Sequence, residues 1–374
     1  MGWRIEGGEV LGTAGLTPGT LGLADGRIAE AAGGRRFDAT GCWVLPGIVD
    51  IHGDAHERAL QPRPGVGFAP AFALRDTAAQ LLAAGITTAY LGVTLSWEPG
   101  LRSLAMFRAM LAAPRPLAPD MRLHLRFEAD NLDAMPDALA AIAGARVHLL
   151  GYNDHTPGIA RKVADEAGLA KYAGRGGVSS AQFRAMIDAA MANRPGVPAA
   201  RVALAAAARA AGIPMLSHDD ADLEQRAAFR ALGAAICEFP ITEAVAGNAR
   251  AHGEHVVMGA PNVVRGGSHL GWASAAPLAE RGLVTVLASD YHWPALFEAP
   301  FVMLRRGVMD VAAAWALVSA NPAAALGLAD RGALRVGLRA DALVISGGAE
   351  APRLQATFMA GELAWLAPEA AGRL

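Results

Sequence analysis

From residue 46 onward the chain repeats one rhythm. A short apolar run is followed by a longer stretch in which alanine and leucine recur at helical spacing. The apolar runs fall near 46–52, 87–94, 122–128, 146–153, 213–218, 235–240, 255–260 and 284–289. Each is of strand length and bounded by turn-forming residues. Between them lie "FALRDTAAQLLAAG", "SLAMFRAMLAA", "SAQFRAMIDAAMANR", "AARVALAAAARAAG", "DLEQRAAFRALG" and "VMDVAAAWALVSA", which predict helices. Strands alternating with helices predict a parallel α/β sheet, and a count of eight favours a closed (β/α)8 TIM-like barrel. The first 45 residues, "WRIEGGEVLG" to "FDATGCWVLPG", read instead as short strands separated by Gly and Asp-Gly turns. Strand character returns after residue 332 in "GALRVGLRADALVISGG" and "QATFMAGELAWL". The expected organisation is a barrel over 46–332 and a small β-sandwich domain made from both chain ends, 1–45 and 333–374.

Composition narrows the function classes. Of 374 residues, 53% are hydrophobic and 18% charged, enough for a large core and too apolar for disorder. A net charge of −2 argues against a general nucleic-acid binder, so an anionic ligand would need a local basic pocket. The two cysteines, Cys42 and Cys237, form no motif, which predicts a reducing compartment. The beginning of the sequence carries no secretory-type apolar segment, and no apolar run reaches the ~18 residues of a membrane span. The expectation is a soluble, cytoplasmic protein with neither membrane nor nucleic acid as partner. Only Lys162 and Lys171 are lysines among 33 basic residues.

In a barrel of this kind chemistry sits at the carboxyl ends of the strands. There the sequence places His52, Asp54 and His56 after strand one, Glu128 and Asp130 after strand three, and Asp154 and His155 after strand four. His218, Asp219 and Asp220 follow strand five, Glu238 strand six, Arg265, Ser268 and His269 strand seven, and Asp290 strand eight. Imidazoles and carboxylates converging from several strands suit a divalent metal. Residues i and i+2 of a strand point the same way, so His52 and Asp54 can face one ion. A bound metal brings the pKa of its water to about 7, and Asp290 is placed to accept that proton. Blander readings remain beside this one. His124 and His148 precede the strand ends and read as packed or surface residues. His252, His255 and His292 read as loop histidines. Glu57 and Arg58 are a solvated pair or a substrate contact, and one of Asp219 and Asp220 reads as a helix cap.

"PGIVDIHGD" after a β-rich lead and "NPAAALGLADRGALRVGLRADALVI" near the end resemble the amidohydrolase superfamily. The usual His-x-His of that superfamily is His52-Gly-Asp54 here, and its bridging lysine at the fourth strand end has no counterpart. The set "HGDAHER…PRPG", "NDHTPG", "KYAG", "LSHDD", "EFPIT", "GAPNVVRGGSH" and "SDY" resembles, more narrowly, the diphosphatases of the carbon–phosphorus lyase pathway that act on α-D-ribose 1-methylphosphonate 5-triphosphate and release pyrophosphate. The resemblance implies one or two divalent ions, zinc first, with manganese, iron or nickel as substitutes. His52, Asp54 and Asp290 would hold one ion. Glu128, His155 and His218 would hold or share a second, with Glu128 in place of the missing bridge.

A phosphorylated ribose-type substrate would need cations, and Arg58, Arg63, Lys171, Arg175, Arg265 and His269 are the candidates, with Lys162 nearby. The glycine pairs 176–177 and 266–267 would let backbone N–H groups approach an anion. The stretch 156–180 is expected to be a long loop able to close as a lid. Three alternatives stay open: another amidohydrolase reaction on an amide, imide, lactone or aminated ring; a non-catalytic barrel in a phosphonate-processing assembly; and a doubly wound nucleotide-binding fold, for which no GxGxxG or GxxxxGK[ST] is found. A homo-oligomer is also left open.

Overall fold

A computed structural model describes residues 2–30, 33–63, 65–267 and 273–374. The eight apolar runs form one parallel sheet in chain order: Ile48–Gly53, Ile86–Leu95, Asp120–Glu128, Leu149–Asn153, Met215–His218, Ile236–Glu238, His255–Gly259 and Val286–Ala288. These are barrel strands one to eight. The sheet closes where strand one meets the exit of strand eight. Gly53 bridges Asp290 in parallel, Asp54 N–H donates to Asp290 C=O at 2.7 Å, and Asp290 N–H donates to His52 C=O at 2.9 Å. Barrel closure therefore uses the backbone of three candidate site residues.

Helices cover the outside, and helix starts follow ordinary capping chemistry. Ser103, Ser179, Asp222, Thr242 and Asp310 each accept a backbone N–H from the first turn of the helix that follows. Neither Asp219 nor Asp220 serves as a cap; Asp222 does. Val49, Ile51, Tyr90, Leu149, Leu216, Ile236, Val257 and Val286 fill the inside of the barrel as a single apolar plug, closed below by Ala323 and Leu326.

The chain ends do combine. Trp3–Gly12, Gly15–Ala24, Arg27–Ala29, Arg35–Asp38 and Cys42–Pro46 share one sheet with Ala342–Ser346, Arg353–Met359 and Glu362–Leu366. Cys42–Pro46 pairs with both ends, parallel to Trp3–Gly12 and antiparallel to Ala342–Ser346. Its own core holds Trp3, Phe37 and Phe358, with both other rings edge-on to Phe358 at 5.4 Å.

The expected long loop over 156–180 is instead largely helical, Thr156–Lys162 and Glu166–Gly176. Pro157 sits in the first turn of the former, and Asp165 caps the latter by accepting from Gly168 N–H. Ile159, Val163, Leu169 and Ala173 pack on Phe183 and Ile187. The glycine pairs have structural uses too. Gly177 and Gly266 terminate helices in the left-handed conformation, and a Cβ on Gly176 would collide with Pro99.

Candidate active site at the barrel mouth

Alternation along the strands sets the site. In strand three, Arg126 and Glu128 are buried polar residues among outward-facing apolar ones. His52 and Asp54 leave strand one together, with Nε2 to Oδ1 at 3.3 Å. Asp219, Phe239 and Asp290 follow the ends of strands five, six and eight with φ of 57°, 53° and 56°. This left-handed backbone costs a non-glycine residue about 1 kcal/mol or more, and such strain gathers at functional sites. It turns Asp219 and Asp290 out of the strand pleat and over the mouth.

Glu238 organises the centre. It is fully buried, and its two oxygens take His52 Nδ1 at 2.8 Å and His218 Nδ1 at 2.7 Å. Two donors sharing a metal at about 2.1 Å would stand ~3 Å apart or more, so these shorter distances are hydrogen bonds. Burial opposes ionisation of Glu238, but the two histidines hold its carboxyl well below the usual range. A carboxylate can only accept, so both Nδ1 atoms carry the proton and both Nε2 lone pairs face inward. Glu128 does the same for His155. It takes His155 Nδ1 at 3.0 Å, His155 N–H at 2.6 Å, and Thr156 N–H and Oγ1 at 3.1 and 3.2 Å. Oε1 thereby takes three donors and Oε2 one.

The inward-facing atoms form two triads whose donors lie within 4.8 Å of one another: His52, Asp54 and Asp290, and His155, His218 and Asp219. His218 Nε2 and His155 Nε2 stand 3.5 and 3.9 Å from Asp219 Oδ2. The first triad fits a divalent ion by a direct observation. His52 Nε2 and Asp54 Oδ1 are buried, face each other at 3.3 Å, and among the described residues have no other hydrogen-bond partner, so a proton or a metal ion must stand between them. The electrostatics agree. Burial pulls His52 down, yet Glu238 and Asp54 overcome it and hold it at about 10, which is a demand for positive charge at this point. Burial pushes Asp290 up. Of the residues expected to bind metal, the structure thus brings His52, Asp54 and Asp290 together, and His155 with His218. It does not group Glu128 with either set among the described residues. A cluster of Glu128, Asp130 and Asp154 lies behind, where Arg194 bridges the two aspartates at 2.9 and 2.6 Å.

Of two further buried residues at the centre, Arg126 was not anticipated, whereas His124 is packed, as one of its two readings from the sequence had it. Arg126 Nη1 donates to Asp54 Oδ2 at 2.8 Å, and Nη2 lies 3.4 Å from His218 Nε2. Burial opposes the Asp54 charge, but Arg126 and His52 hold that carboxyl well below its usual range. His124 packs under the site, edge-on to the His52 ring at 5.3 Å. The signal for both was a strand glycine. A Cβ on Gly92 would stand 2.5 Å from Asp54 Oδ1 and 3.1 Å from Arg126 Cδ, and one on Gly151 2.5 Å from His124 Nε2.

A cavity of about 1000 Å³ opens above, with Asp54, Arg126, His155 and Asp219 in its wall. Arg63, Arg102, Arg161, Lys162 and Arg175 add positive charge, and Glu57, Glu98 and Asp154 add acceptors. Of the expected substrate contacts, Arg63 and Arg175 line this cavity. Lys171 does not; it is exposed on the helix Glu166–Gly176. Arg58 and Arg265 meet at another place, Tyr291, donating to its C=O at 2.8 Å and its hydroxyl at 3.3 Å. His269 lies outside the described residues.

Comparison with known proteins places this arrangement. The chain is 35% identical over 326 residues to the α-D-ribose 1-methylphosphonate 5-triphosphate diphosphatase of Escherichia coli (strain K12), an alignment covering 84% of this chain and 85% of that protein. No protein-family model matches. Among solved structures, dihydropyrimidinase from Brevibacillus agri NCHU1002 superposes with a TM-score of 0.63 at 12% identity, over 97% of this chain and 95% of that one. A triazine hydrolase variant gives 0.64 at 13% identity, over 96% and 94%. These distant likenesses establish the fold; the sequence relationship establishes the family. The chain belongs to the α-D-ribose 1-methylphosphonate 5-triphosphate diphosphatase family.

Proposed function

We propose that this protein hydrolyses a phosphoanhydride bond of α-D-ribose 1-methylphosphonate 5-triphosphate and releases pyrophosphate, as a step in phosphonate breakdown. One observation carries the reading. The cavity over the metal-binding residues is walled by arginine and lysine, where a hydrolase of neutral rings or amides would need no such charge. Its volume of about 1000 Å³ is ample for a sugar triphosphate. The half-buried acids Glu57 and Glu98 in the same wall suit ribose hydroxyls, and the name carried by the Escherichia coli relative supports the substrate.

His52, Asp54 and Asp290 would hold a divalent ion, zinc in the first instance. Such an ion supplies Lewis acidity for a phosphoryl oxygen and for water. The other roles belong to the chain. Asp290, made more basic by burial, takes the proton of the attacking water and returns it to the leaving pyrophosphate oxygen. Arg126 faces the reacting phosphoryl group as a fixed cation, and Arg63, Arg161, Lys162 and Arg175 spread the remaining charge of the triphosphate. Glu238 and Glu128 fix the histidine tautomers. Arg58 and Arg265 would complete the binding surface on the side of Tyr291, and the roles expected of Lys171 and His269 remain part of the proposal. Free cysteines at 42 and 237, both buried, suit a reducing cytoplasmic setting.

The test is to incubate purified, metal-loaded protein with α-D-ribose 1-methylphosphonate 5-triphosphate and follow phosphorus species by 31P NMR. Pyrophosphate and a ribose 5-phosphate product in equal amounts are expected. Release of orthophosphate alone, or an unreacted triphosphate, overturns the reading.

A further inference from the structure

We propose that the centre takes a single divalent ion, on the His52–Asp54–Asp290 side, and that the guanidinium of Arg126 is the resident cation that keeps a second ion out. This rests on the metal-dependent reading above and concerns how many ions serve it.

The argument is an inventory of lone pairs. An imidazole nitrogen has one lone pair in the ring plane, and it serves either a hydrogen-bond donor or a metal. His218 Nδ1 is committed as donor to Glu238 at 2.7 Å, so Nε2 is the lone-pair atom. Arg126 Nη2 lies 3.4 Å from that atom. The guanidinium cannot swing aside freely, because Arg126 is buried and its Nη1 is anchored to Asp54 Oδ2 at 2.8 Å in a part-buried ion pair. Gly92 is the reason it fits: any side chain there would meet both Asp54 and Arg126. An ion in the His155–His218–Asp219 triad would need the lone pair that Arg126 addresses, and would sit beside a fixed positive charge at low dielectric. The other triad differs. His52 Nε2 faces Asp54 Oδ1 at 3.3 Å, and among the described residues no other group donates to either atom, so an ion has only a proton to displace there. The two triads resemble each other in composition, and Arg126 separates them by the lone pairs it addresses: it takes the Nε2 lone pair of His218 in one, but only the outer oxygen of Asp54 in the other, leaving Oδ1 to the ion. One cation of the reaction is thus exchangeable and the other is built into strand three.

The experiment strips the protein with a chelator, reloads it with excess Mn(II), removes loosely held ion by gel filtration, and measures metal per chain together with the EPR spectrum. Wild type is expected to hold one ion per chain with the spectrum of isolated Mn(II). Arg126→Ala is expected to hold two, with an exchange-coupled spectrum, and adding Asp219→Asn to it should return the count to one. Arg126→Gln replaces the alanine variant if circular dichroism shows that the latter does not fold. Two coupled ions in wild type overturn the proposal, as does a count of one in both wild type and the folded Arg126 variant. Wild type with no tightly held ion overturns this proposal and the metal-dependent reading together. The expected counts combined with no pyrophosphate release would leave this proposal standing and sink only the assigned reaction.

Discussion

Replacing Glu238 by glutamine changes one oxygen to an NH2 group and should weaken ion binding through two histidines at once. In the native centre the carboxylate accepts from His52 Nδ1 at 2.8 Å and from His218 Nδ1 at 2.7 Å, with no solvent access. An amide can satisfy only one of these donors. The other histidine then faces an N–H and is driven to the opposite tautomer, which turns an N–H toward the centre. If His52 switches, the ion loses a ligand. If His218 switches, its Nε2–H confronts Arg126 and disturbs the Asp54 carboxylate that Arg126 holds. Outer partners of this kind are worth about 10–100-fold in metal affinity, or ~1.4–2.8 kcal/mol. Competition against a fluorescent chelator, at a pH where both proteins are folded, measures this directly. Glu254→Gln is the control. Glu254 is also a buried acid, but it pairs with Arg226 and Arg230 at 3.1 and 2.5 Å, so its loss should lower stability and leave ion affinity alone. Glu238→Gln binding the ion within twofold of wild type would refute the role given to Glu238.

Asp290→Asn should lower turnover by ~10²–10⁴-fold in a pyrophosphate-release assay, and near-normal turnover would remove Asp290 from proton transfer. Gly92→Ala introduces a Cβ 2.5 Å from Asp54 Oδ1 and 3.1 Å from Arg126 Cδ, and should cost about 1–3 kcal/mol in chemical denaturation along with ion affinity. Unchanged stability would mean that the strand shifts to make room. His56 is buried, and burial holds it at about 4 against an ordinary 6.5. As pH falls from about 6.5 to 4 the unfolded chain takes up the proton and the folded chain does not, so stability falls at up to ~1.4 kcal/mol per pH unit, or ~3 kcal/mol in total. Denaturation of chelator-treated His56→Leu at several pH values should lack this part of the acid loss; an identical profile would show that His56 titrates alike in the folded and unfolded chain.

The barrel was legible because parallel strands covered on both faces read as continuous apolar runs. Expected strands at 87–94 and 122–128 correspond to Ile86–Leu95 and Asp120–Glu128, and all eight appear in order. The segment 156–180 misled for an equally physical reason. Its two helices contain Gly158, Gly168, Gly174 and Gly176, which weaken any helical signal, and they hold together by packing on Phe183 and Ile187. A local reading cannot see a partner that arrives later in the chain. The same limit explains why Lys171 and Arg175, close in sequence, part company: only Arg175 turns to the cavity, lying over the Tyr172 ring at 5.1 Å.

Residues at the centre are identifiable by type and strand-end position, but whether a carboxylate touches an ion or touches a ligand's far side is decided by the loop that follows. Glu128 shows how. Strand three aims it at the mouth, which is all that the sequence conveys. The turn after strand four then points His155 N–H, Thr156 N–H and the Thr156 hydroxyl at it, and four donors settle on one carboxylate. Held by these donors, it fixes the orientation of the His155 ring. Glu238 reaches the same condition by a different path, from strand six to histidines on strands one and five. Two unrelated carboxylates doing one job is what a centre of inward-facing lone pairs requires, because a histidine whose outer nitrogen lacks an acceptor is free to present the wrong face. The sequence expectation of a bridging acid and the structural finding of two orienting acids therefore respond to the same need: negative charge that holds imidazoles in place around a cation.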